Sequence, residues 1–420
     1  MRRFPGLAPL RERDFTLYWF GQVVSQSGTW IELTTTSWLL YELTRSPVLL
    51  GLAGLFRAGP IVLLSIVGGA VADRVPRRRL LVFTQSAQVV TSLLLGTLVA
   101  TGTVAFWHIY LVSAVNATLI AFDTPARLAM FPNLVPRGQL QNAVALNSIL
   151  FRVSTLVGPA VAGTLIVAAG VPAPYFVNAA SYFAIIGALL LIRTPDRVTR
   201  SGQSLRSDAI GGIRYALASP ILPLVLAVEA ALNVFGYNSA LLTVFARDIL
   251  GVGAQGLGLL LSAVGAGAIV GTVSLVLLGD VRKKGLVMLA AGVLYAAAML
   301  LFAWSRAYAA SAAILFCLGL ADAVWGAMRN TIAQLAADDA YRGRVMSLII
   351  ITTRGFTQVS QVQIGISIAL FGAPLAATLG AAAVGATVLA VGAQGTRLRS
   401  FESTRSVEPT AAEAIATPSA

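Results

Sequence analysis

Two apolar runs, Leu49 to Val71 and Leu80 to Ala100, are separated by a short segment that holds Arg74, Arg77, Arg78 and Arg79. Each run is long enough to cross a hydrocarbon core of about 30 Å as a helix. Each arginine at a bilayer centre would cost roughly 2.5 to 3.5 kcal/mol. The cluster therefore lies outside the hydrocarbon and the runs lie within it. The pattern continues along the chain, with twelve apolar stretches centred near Ser27, Ile61, Val90, Val115, Gly158, Ala184, Leu232, Gly267, Leu294, Phe316, Gln358 and Val384. None shows the alternation expected of barrel strands. A charged fraction of 11% and a mean hydropathy of +0.81 are far from the values of soluble domains, which carry about 25% charged residues. The sequence predicts an all-α polytopic membrane protein of twelve transmembrane helices.

A net charge of +13 could point to nucleic acid, but the positions of the basic residues decide against it. Of the 30 Lys and Arg, 24 fall in the N-terminus, the even-to-odd loops and the C-terminus. Arg45, Arg247 and Arg306 fall in the opposite loops, and Arg57, Arg152 and Arg354 lie within apolar runs. The positive-inside rule then puts both termini in the cytoplasm, with membrane lipid as the anionic partner. The first apolar stretch carries Gln22, Gln26 and Glu32 and lacks a small-residue cleavage site, so it reads as a retained helix, not a signal peptide.

Cys317 is the one cysteine and His108 the one histidine, so the sequence supplies no Cys/His cluster for a structural metal. There is no phosphate-binding loop with Gly-Lys-Ser/Thr, and no nucleophile and base stand at a useful spacing. The expectation is a protein with no cofactor and no enzymatic activity, and energy drawn from an ion gradient if transport is active. Gly265-Ala266-Gly267-Ala268-Ile269-Val270-Gly271 has the wrong spacing for a dinucleotide loop and reads as helix packing.

The polar stretch from Arg193 to Ser219 divides six apolar runs from six. The expected organisation is an N-terminal bundle over 1–194, a cytoplasmic linker over 195–219, a C-terminal bundle over 220–396 and a disordered tail over 397–420. Within the linker, Leu205, Ile210, Ile213 and Leu217 can share one side of a helix along the membrane surface. Arg127 and Arg152 are 25 residues apart, as are Arg329 and Arg354, a shift of 202. A degenerate echo of Asp73-Arg74 stands at Gly279-Asp280-Val281-Arg282-Lys283-Lys284. Both repeats suit duplicated halves.

The spacing of Gly69, Asp73, Arg74, Arg77 and Arg78 resembles the loop between helices two and three of the major facilitator superfamily, with Pro76 where that family usually has glycine. Arg13-Asp14-Phe15 through Gly21-Gln22, Asp123-Thr124-Pro125-Ala126-Arg127 and Asn142-Ala143 resemble its drug and siderophore exporter branch, which includes enterobactin exporters and macrolide efflux proteins. Gly158-Pro159-Ala160-Val161-Ala162-Gly163 resembles the Gly-Pro motif on helix five of drug/proton antiporters, with alanine for the first closing glycine. The resemblance implies two pseudo-symmetric six-helix bundles working as a monomer in a bacterial inner membrane. It also implies a cytoplasmic gating loop at Gly69, Asp73, Arg74, Arg77 and Arg78, with Asp123 and Arg127 beside it.

Glu32, Asp123, Glu229 and Asp322 lie in or at the ends of apolar runs, and ionisable groups there are functional candidates by default. Glu32 and Glu229 lie within their runs, beside Thr34, Thr35 and Thr36 in one case and Asn233, Tyr237 and Asn238 in the other. A carboxyl in a half-dry cavity can alternate between proton and substrate. Asp123 has a sufficient structural reason in an i to i+4 pair with Arg127. Asp322 belongs to the cavity or an inner gate. Arg57, Arg152 and Arg354 are the natural counter-ions, or one of them attracts an anionic substrate group. Gln358, with Gln361 and Gln363, makes the eleventh run polar. The reading is a secondary exporter of an amphipathic small molecule, such as a drug, macrolide or siderophore, in exchange for protons. Alternatives are a lipid or lysolipid translocase of the same fold, and a membrane sensor or assembly partner that does not transport.

Overall fold

The computed structural model describes residues 5–194, 214–279, 281–338 and 341–401, with the backbone alone at 66, 351 and 354. Asp280, the linker residues 195–213 with Leu205, Ile210 and Ile213, the tail from 402 and the side chain of Arg354 lie outside the described residues.

The elements are helices throughout: α1 Arg13–Thr44, α2 Pro47–Ala72, α3 Arg77–Ala100, α4 Phe106–Met130, α5 Leu140–Ala169, α6 Ala173–Leu191, α7 Leu222–Phe235, α8 Ser239–Val244, α9 Gly253–Leu278, α10 Lys284–Trp304, α11 Tyr308–Ala336, α12 Arg342–Phe371, α13 Ala373–Gln394 and α14 Thr396–Arg399. Ten segments among the described residues are long and apolar enough to cross a membrane, α7 and α8 counting together as one. The helices α1 and α12 have the length, at 32 and 30 residues, but do not reach that apolarity, being interrupted by glutamines, threonines and charges. Large apolar side chains point outward, Leu277 being 80% and Leu63 76% exposed, which is the inverse of a soluble surface and suits a lipid solvent.

By Cα packing the chain divides into two compact units, residues 1–202 with 239–265, and residues 203–238 with 266–420. In the first unit α1 lies against α5 and α6, α2 against α4, and α3 against α4 and α6. Its core joins Phe15, Tyr18, Leu81, Met130, Leu146, Ile185 and Leu189. In the second unit α10 packs on α11 and α13, and α7 on α12 and α13.

The turn from α1 to α2 follows from local chemistry. Arg45 takes the left-handed conformation, φ 52°, and returns its N–H to the Tyr41 carbonyl. Ser46 then accepts from the Leu49 N–H at 3.3 Å, with Pro47 in the first turn where no N–H is needed.

The seventh run is broken. Helix α7 stops at Gly236, where a Cβ would stand 2.1 Å from the Leu232 carbonyl oxygen and 2.4 Å from the Tyr295 hydroxyl oxygen. The backbone freed by the break is satisfied inside the second unit. The Tyr237 N–H donates to Tyr295 Oη at 3.0 Å, and Asn238 Nδ2 donates to the Ser360 carbonyl and hydroxyl at 3.2 and 3.1 Å. Helix α8 resumes at Ser239, in the first unit, and ends in a π-helical turn, Phe245–Ile249.

The glycine run of α9 serves packing on both sides of the division at Gly265. A Cβ on Gly265 would lie 3.0 Å from Leu156 Cα of α5, and one on Gly267 would lie 1.9 Å from the Phe316 carbonyl oxygen of α11. The first residues of the expected tail are ordered: α14 buries Leu398 completely and Phe401 almost so, and the Leu398 carbonyl sits over Gly285 of α10. Two apolar side chains were enough to fix this stretch where composition suggested none would.

Gly267 and Gly326 give opposite expectations for one chemical change. Gly326 of α11 has open space around its Cβ position, so Gly326→Ala gains helix propensity of up to about 1 kcal/mol. Gly267→Ala forces α9 from α11 and costs about 1 to 3 kcal/mol or more. Thermal unfolding of the purified variants in detergent should rise or hold for the first and fall for the second.

Candidate functional site

Among the described residues, the first unit holds two carboxylates deep among helices, Glu32 and Asp123, and the second holds Glu229. In the first, Glu32 of α1 accepts hydrogen bonds at Oε2 from the Ser92 hydroxyl of α3 and from Asn178 Nδ2 of α6, and at Oε1 from Asn116 Nδ2 of α4 at 3.3 Å. Glu32 is the meeting point of four helices. Its partners are themselves held: Asn178 Oδ1 accepts from Ser181 Oγ at 3.1 Å, and Asn116 Oδ1 accepts from Thr91 Oγ1 at 2.6 Å. Arg57 of α2 is the cation whose charge acts on Glu32, but it makes no ion pair with it among the described residues.

In the second unit, Glu229 of α7 is 1% exposed and is bound by donors from three helices. Arg329 Nη1 of α11 and Thr353 Oγ1 of α12, the latter at 2.7 Å, donate to Oε1. Asn233 Nδ2, one turn along α7, donates to the same oxygen at 2.8 Å, and Trp325 Nε1 of α11 donates to Oε2 at 2.9 Å. Thr357 of α12 donates to Asn233 Oδ1 at 3.1 Å, extending the network along that helix. Among the described residues the counter-ion is thus Arg329, and neither Arg57 nor Arg152 pairs with Glu229 there.

Asp123 of α4 pairs with Arg127 one turn on, at 2.6 Å, and also accepts from Thr84 Oγ1 at 3.1 Å and Gln85 Nε2 at 2.8 Å of α3. It therefore ties α4 to α3 besides stabilising its own helix. In the adjoining loop, Gly69 and Asp73 close the end of α2 through a 3.1 Å backbone bond. Arg74 bonds through its backbone to Val71. Arg77, 5% exposed, donates to the Ala129 carbonyl in the last turn of α4 at 3.1 Å. Arg78 donates to the Ile192 carbonyl at 2.8 Å and to that of Leu190, at the end of α6. Both side chains meet the negative ends of helix dipoles. Asp14 of α1 accepts from the Arg193 and Thr194 N–H groups at 3.0 and 2.8 Å, and Arg13 donates to the Leu191 carbonyl at 3.1 Å.

Arg152 of α5 is half-buried, and its guanidinium makes no hydrogen bond or ion pair among the described residues. Asp322 of α11 is half-buried near Tyr295 of α10. Gln358 of α12 buries its Oε1 without a partner among the described residues, as does Gln363. Gly158 of α5 meets α1, with a Cβ there 2.4 Å from Trp30 Cβ. Pro159 and Gly163 meet α9, where a Cβ on Gly258 would be 2.3 Å from the Pro159 carbonyl and one on Gly163 would be 2.7 Å from that of Ala254. The helix-five residues thus bring two faces of α5 to backbone distance of their neighbours.

A further cluster escaped sequence reasoning. Arg247, in the π-helical turn, pairs with Glu42 of α1 at 2.9 Å and stands over the rings of Trp38 and Tyr41 at 6.0 and 5.8 Å. The Tyr41 hydroxyl donates to Asp248. Arg45 completes the group at 3.6 Å from Glu42. The available signal was the occurrence of Arg45 and Arg247 in loops otherwise poor in basic residues.

Helical bundles with lipid-suited exteriors and charged groups sealed inside define a polytopic membrane protein of the transporter class. The family described as transmembrane secretion effector, within the major facilitator superfamily, matches residues 4–417, and the chain belongs to it. It is 24% identical over 306 residues to an enterobactin exporter of Shigella boydii, covering 73% of each chain. It is 29% identical over 174 residues to the staphyloferrin A transporter of Staphylococcus aureus, covering 41% of this chain and 43% of that one, so it spans less than half the length of that relative. Among solved structures it resembles a bacterial homologue of the iron transporter ferroportin in an inward-facing state, with a TM-score of 0.70, 16% identity and coverage of 94% and 99%. It likewise resembles the nucleoside transporter NupG, with a TM-score of 0.70, 14% identity and coverage of 91% and 99%. At these identities the structures speak for the fold alone.

Glu229 and Arg329 are mutually dependent. Arg329→Gln leaves a buried carboxylate without its cation and is expected to lower stability by about 3 to 5 kcal/mol, whereas Glu229→Gln/Arg329→Gln, which removes both charges, costs less. Thermal or denaturant unfolding of the two variants in one detergent checks the order.

Proposed function

We propose that this protein is a secondary exporter of an amphipathic small molecule of the drug, macrolide or siderophore class, exchanging it for protons by alternating access. The observation that carries the reading is the pair of sealed carboxylates, Glu32 and Glu229, one in each unit, in a chain of this family. The names of its enterobactin and staphyloferrin A relatives favour a siderophore among the cargos. In this reading α1 and α12 cross the membrane with the ten apolar segments, giving twelve spans in a monomer of the bacterial inner membrane with both termini cytoplasmic. Polar cavity-lining residues such as Gln358, and cations such as Arg57, Arg152 and Arg354, offer hydrogen bonds and charge to the cargo. Gly69, Asp73, Arg74, Arg77, Arg78, Asp123 and Arg127 serve the cytoplasmic gate, and Glu42, Arg247 and Asp248 close the outer side.

The test is proton movement by purified protein in sealed proteoliposomes offered dyes, macrolides and siderophores, comparing wild type with Glu32→Gln and Glu229→Gln. Cargo-driven proton movement that fails in at least one variant is expected. Its absence from the wild type with every cargo would overturn proton exchange and turn attention to lipid translocation.

The outer cluster yields a second expectation. Glu42→Gln with Asp248→Asn leaves Arg247 facing no carboxylate of that cluster, so the outer side opens more often. In a Cys317→Ala background, a cysteine at Ser37 should then react severalfold faster with an impermeant maleimide added outside. An unchanged rate would remove the cluster from the gate.

A further inference from the structure

The buried carboxylates Glu32 and Glu229 differ in what surrounds them, and the difference bears on which can hold a proton. Resting on the proton-exchange reading above, we propose that Glu32 alone takes up and releases the exchanged proton, that Ser92 and Asn178 are its positioning residues, and that Glu229 stays an ion-paired carboxylate throughout.

The argument is one of donors and acceptors. Every direct partner of Glu32 is neutral: a hydroxyl and two carboxamides. The Ser92 hydroxyl is both donor and acceptor, and a helical serine can turn its hydrogen toward a carbonyl of the preceding turn. With Glu32 ionised, Ser92 donates to Oε2. With a proton on Oε2, the new O–H donates to Ser92 Oγ and the serine hydrogen turns to its own helix. Asn116 Nδ2 continues to donate to Oε1 in both states. Asn178 Nδ2 also has Ser92 Oγ at 3.2 Å and Tyr182 Oη at 3.3 Å as acceptors, so its hydrogens keep partners when Oε2 becomes a donor. Uptake forms one O–H bond with a proton from water, and release returns that proton to water, without moving a heavy atom of the network.

Glu229 has no such freedom. The Arg329 guanidinium and the Trp325 indole can only donate, and Asn233 presents its amide hydrogens. A proton on either oxygen would set an O–H against these donors and strand the guanidinium in a buried site. Among the described residues Arg329 would keep Asn330 Oδ1, at 3.1 Å, and the Thr353 hydroxyl.

Among the described residues, the charged and titratable groups facing Glu32 are Arg57 from α2 and Tyr175 and Tyr182 from α6, and those facing Glu229 are Arg329 from α11 and Tyr295 from α10. Arg57 lies beyond ion-pair contact. It does not fix the carboxylate of Glu32 as Arg329 fixes that of Glu229.

Infrared pH-difference spectra of the full chain in lipid nanodiscs, between about pH 5 and pH 9, read the carboxylic-acid carbonyl directly and need no cargo. A titrating carbonyl band is expected in wild type and in Glu229→Gln at the same midpoint, and is expected to vanish in Glu32→Gln. Ser92→Ala should move the midpoint and Ser92→Thr should restore it, a pattern that a merely structural serine would not give. Should Glu32→Gln fail to fold, Glu32→Asp must shift the band. A band that persists unshifted through the Glu32 variants, or that disappears in Glu229→Gln, overturns the inference. In proteoliposomes, cargo-driven proton movement surviving in Glu32→Gln overturns it while leaving proton exchange intact. Absence of such movement from wild type removes the exchange reading, and the band still decides whether Glu32 is the titrating carboxyl.

Discussion

Inside a bilayer a charge cannot turn to water, so each buried ionic group has to be completed by the chain itself. The helix arrangement around Glu32, Asp123 and Glu229 follows from that constraint. Glu229 is completed by donors from α7, α11 and α12, Glu32 by donors from α3, α4 and α6, and Asp123 by α3 and its own helix. Three acids thereby fix which helices meet and at what height. The pseudo-repeated arginines show how freely evolution can spend one position. Arg127 completes an acid one turn away on its own helix, whereas Arg329 reaches across to a different helix.

Where charge is absent, contact is made by backbone. Along α5 and α9 in the first unit, Gly258 lies against the Pro159 carbonyl and Gly163 against that of Ala254, and the Ser262 hydroxyl donates to the Leu156 carbonyl at 2.6 Å. In lipid, apolar side chains gain little by leaving hydrocarbon for one another, so the dispersion energy of close backbone approach takes the place of the drive that a soluble core draws from water's exclusion. The glycines are spent where two helices need to touch, and leucine is left for the lipid.

Much of the fold was legible because its signals are local. Apolar runs and the basic loops between them each lie within a short window of sequence, and so do the family motifs. Glu32 and Glu229 were also legible, since an acid in an apolar run stands out. Their partners were not. Ser92, Asn116 and Asn178 are ordinary residues 60 to 146 positions from Glu32, and nothing in their own neighbourhoods announces the carboxylate they serve. In the sequence Arg329 stands out only as one half of a repeat, whereas Arg57, Arg152 and Arg354 lie within apolar runs and draw attention as counter-ions. The break at Gly236 carries no proline to announce it, and what stabilises it, Tyr295 and Ser360, comes from other helices. The docking of Leu398 and Phe401 was hidden because a polar tail composition averages away two well-placed apolar side chains.

The contact of Asp14 with Thr194 spans 180 residues. A ribosome adding roughly 5 to 20 residues per second needs on the order of 10 to 40 s to cover that distance. For that interval Asp14 and Arg13 have no end of α6 to receive, and Arg78 has no Leu190 or Ile192 carbonyl. The clamp can close only when the sixth helix has left the insertion machinery, so its closure marks, in the order of synthesis, the moment at which the first helix is tied to the sixth, while residues 239–265 of the same unit are still to be made.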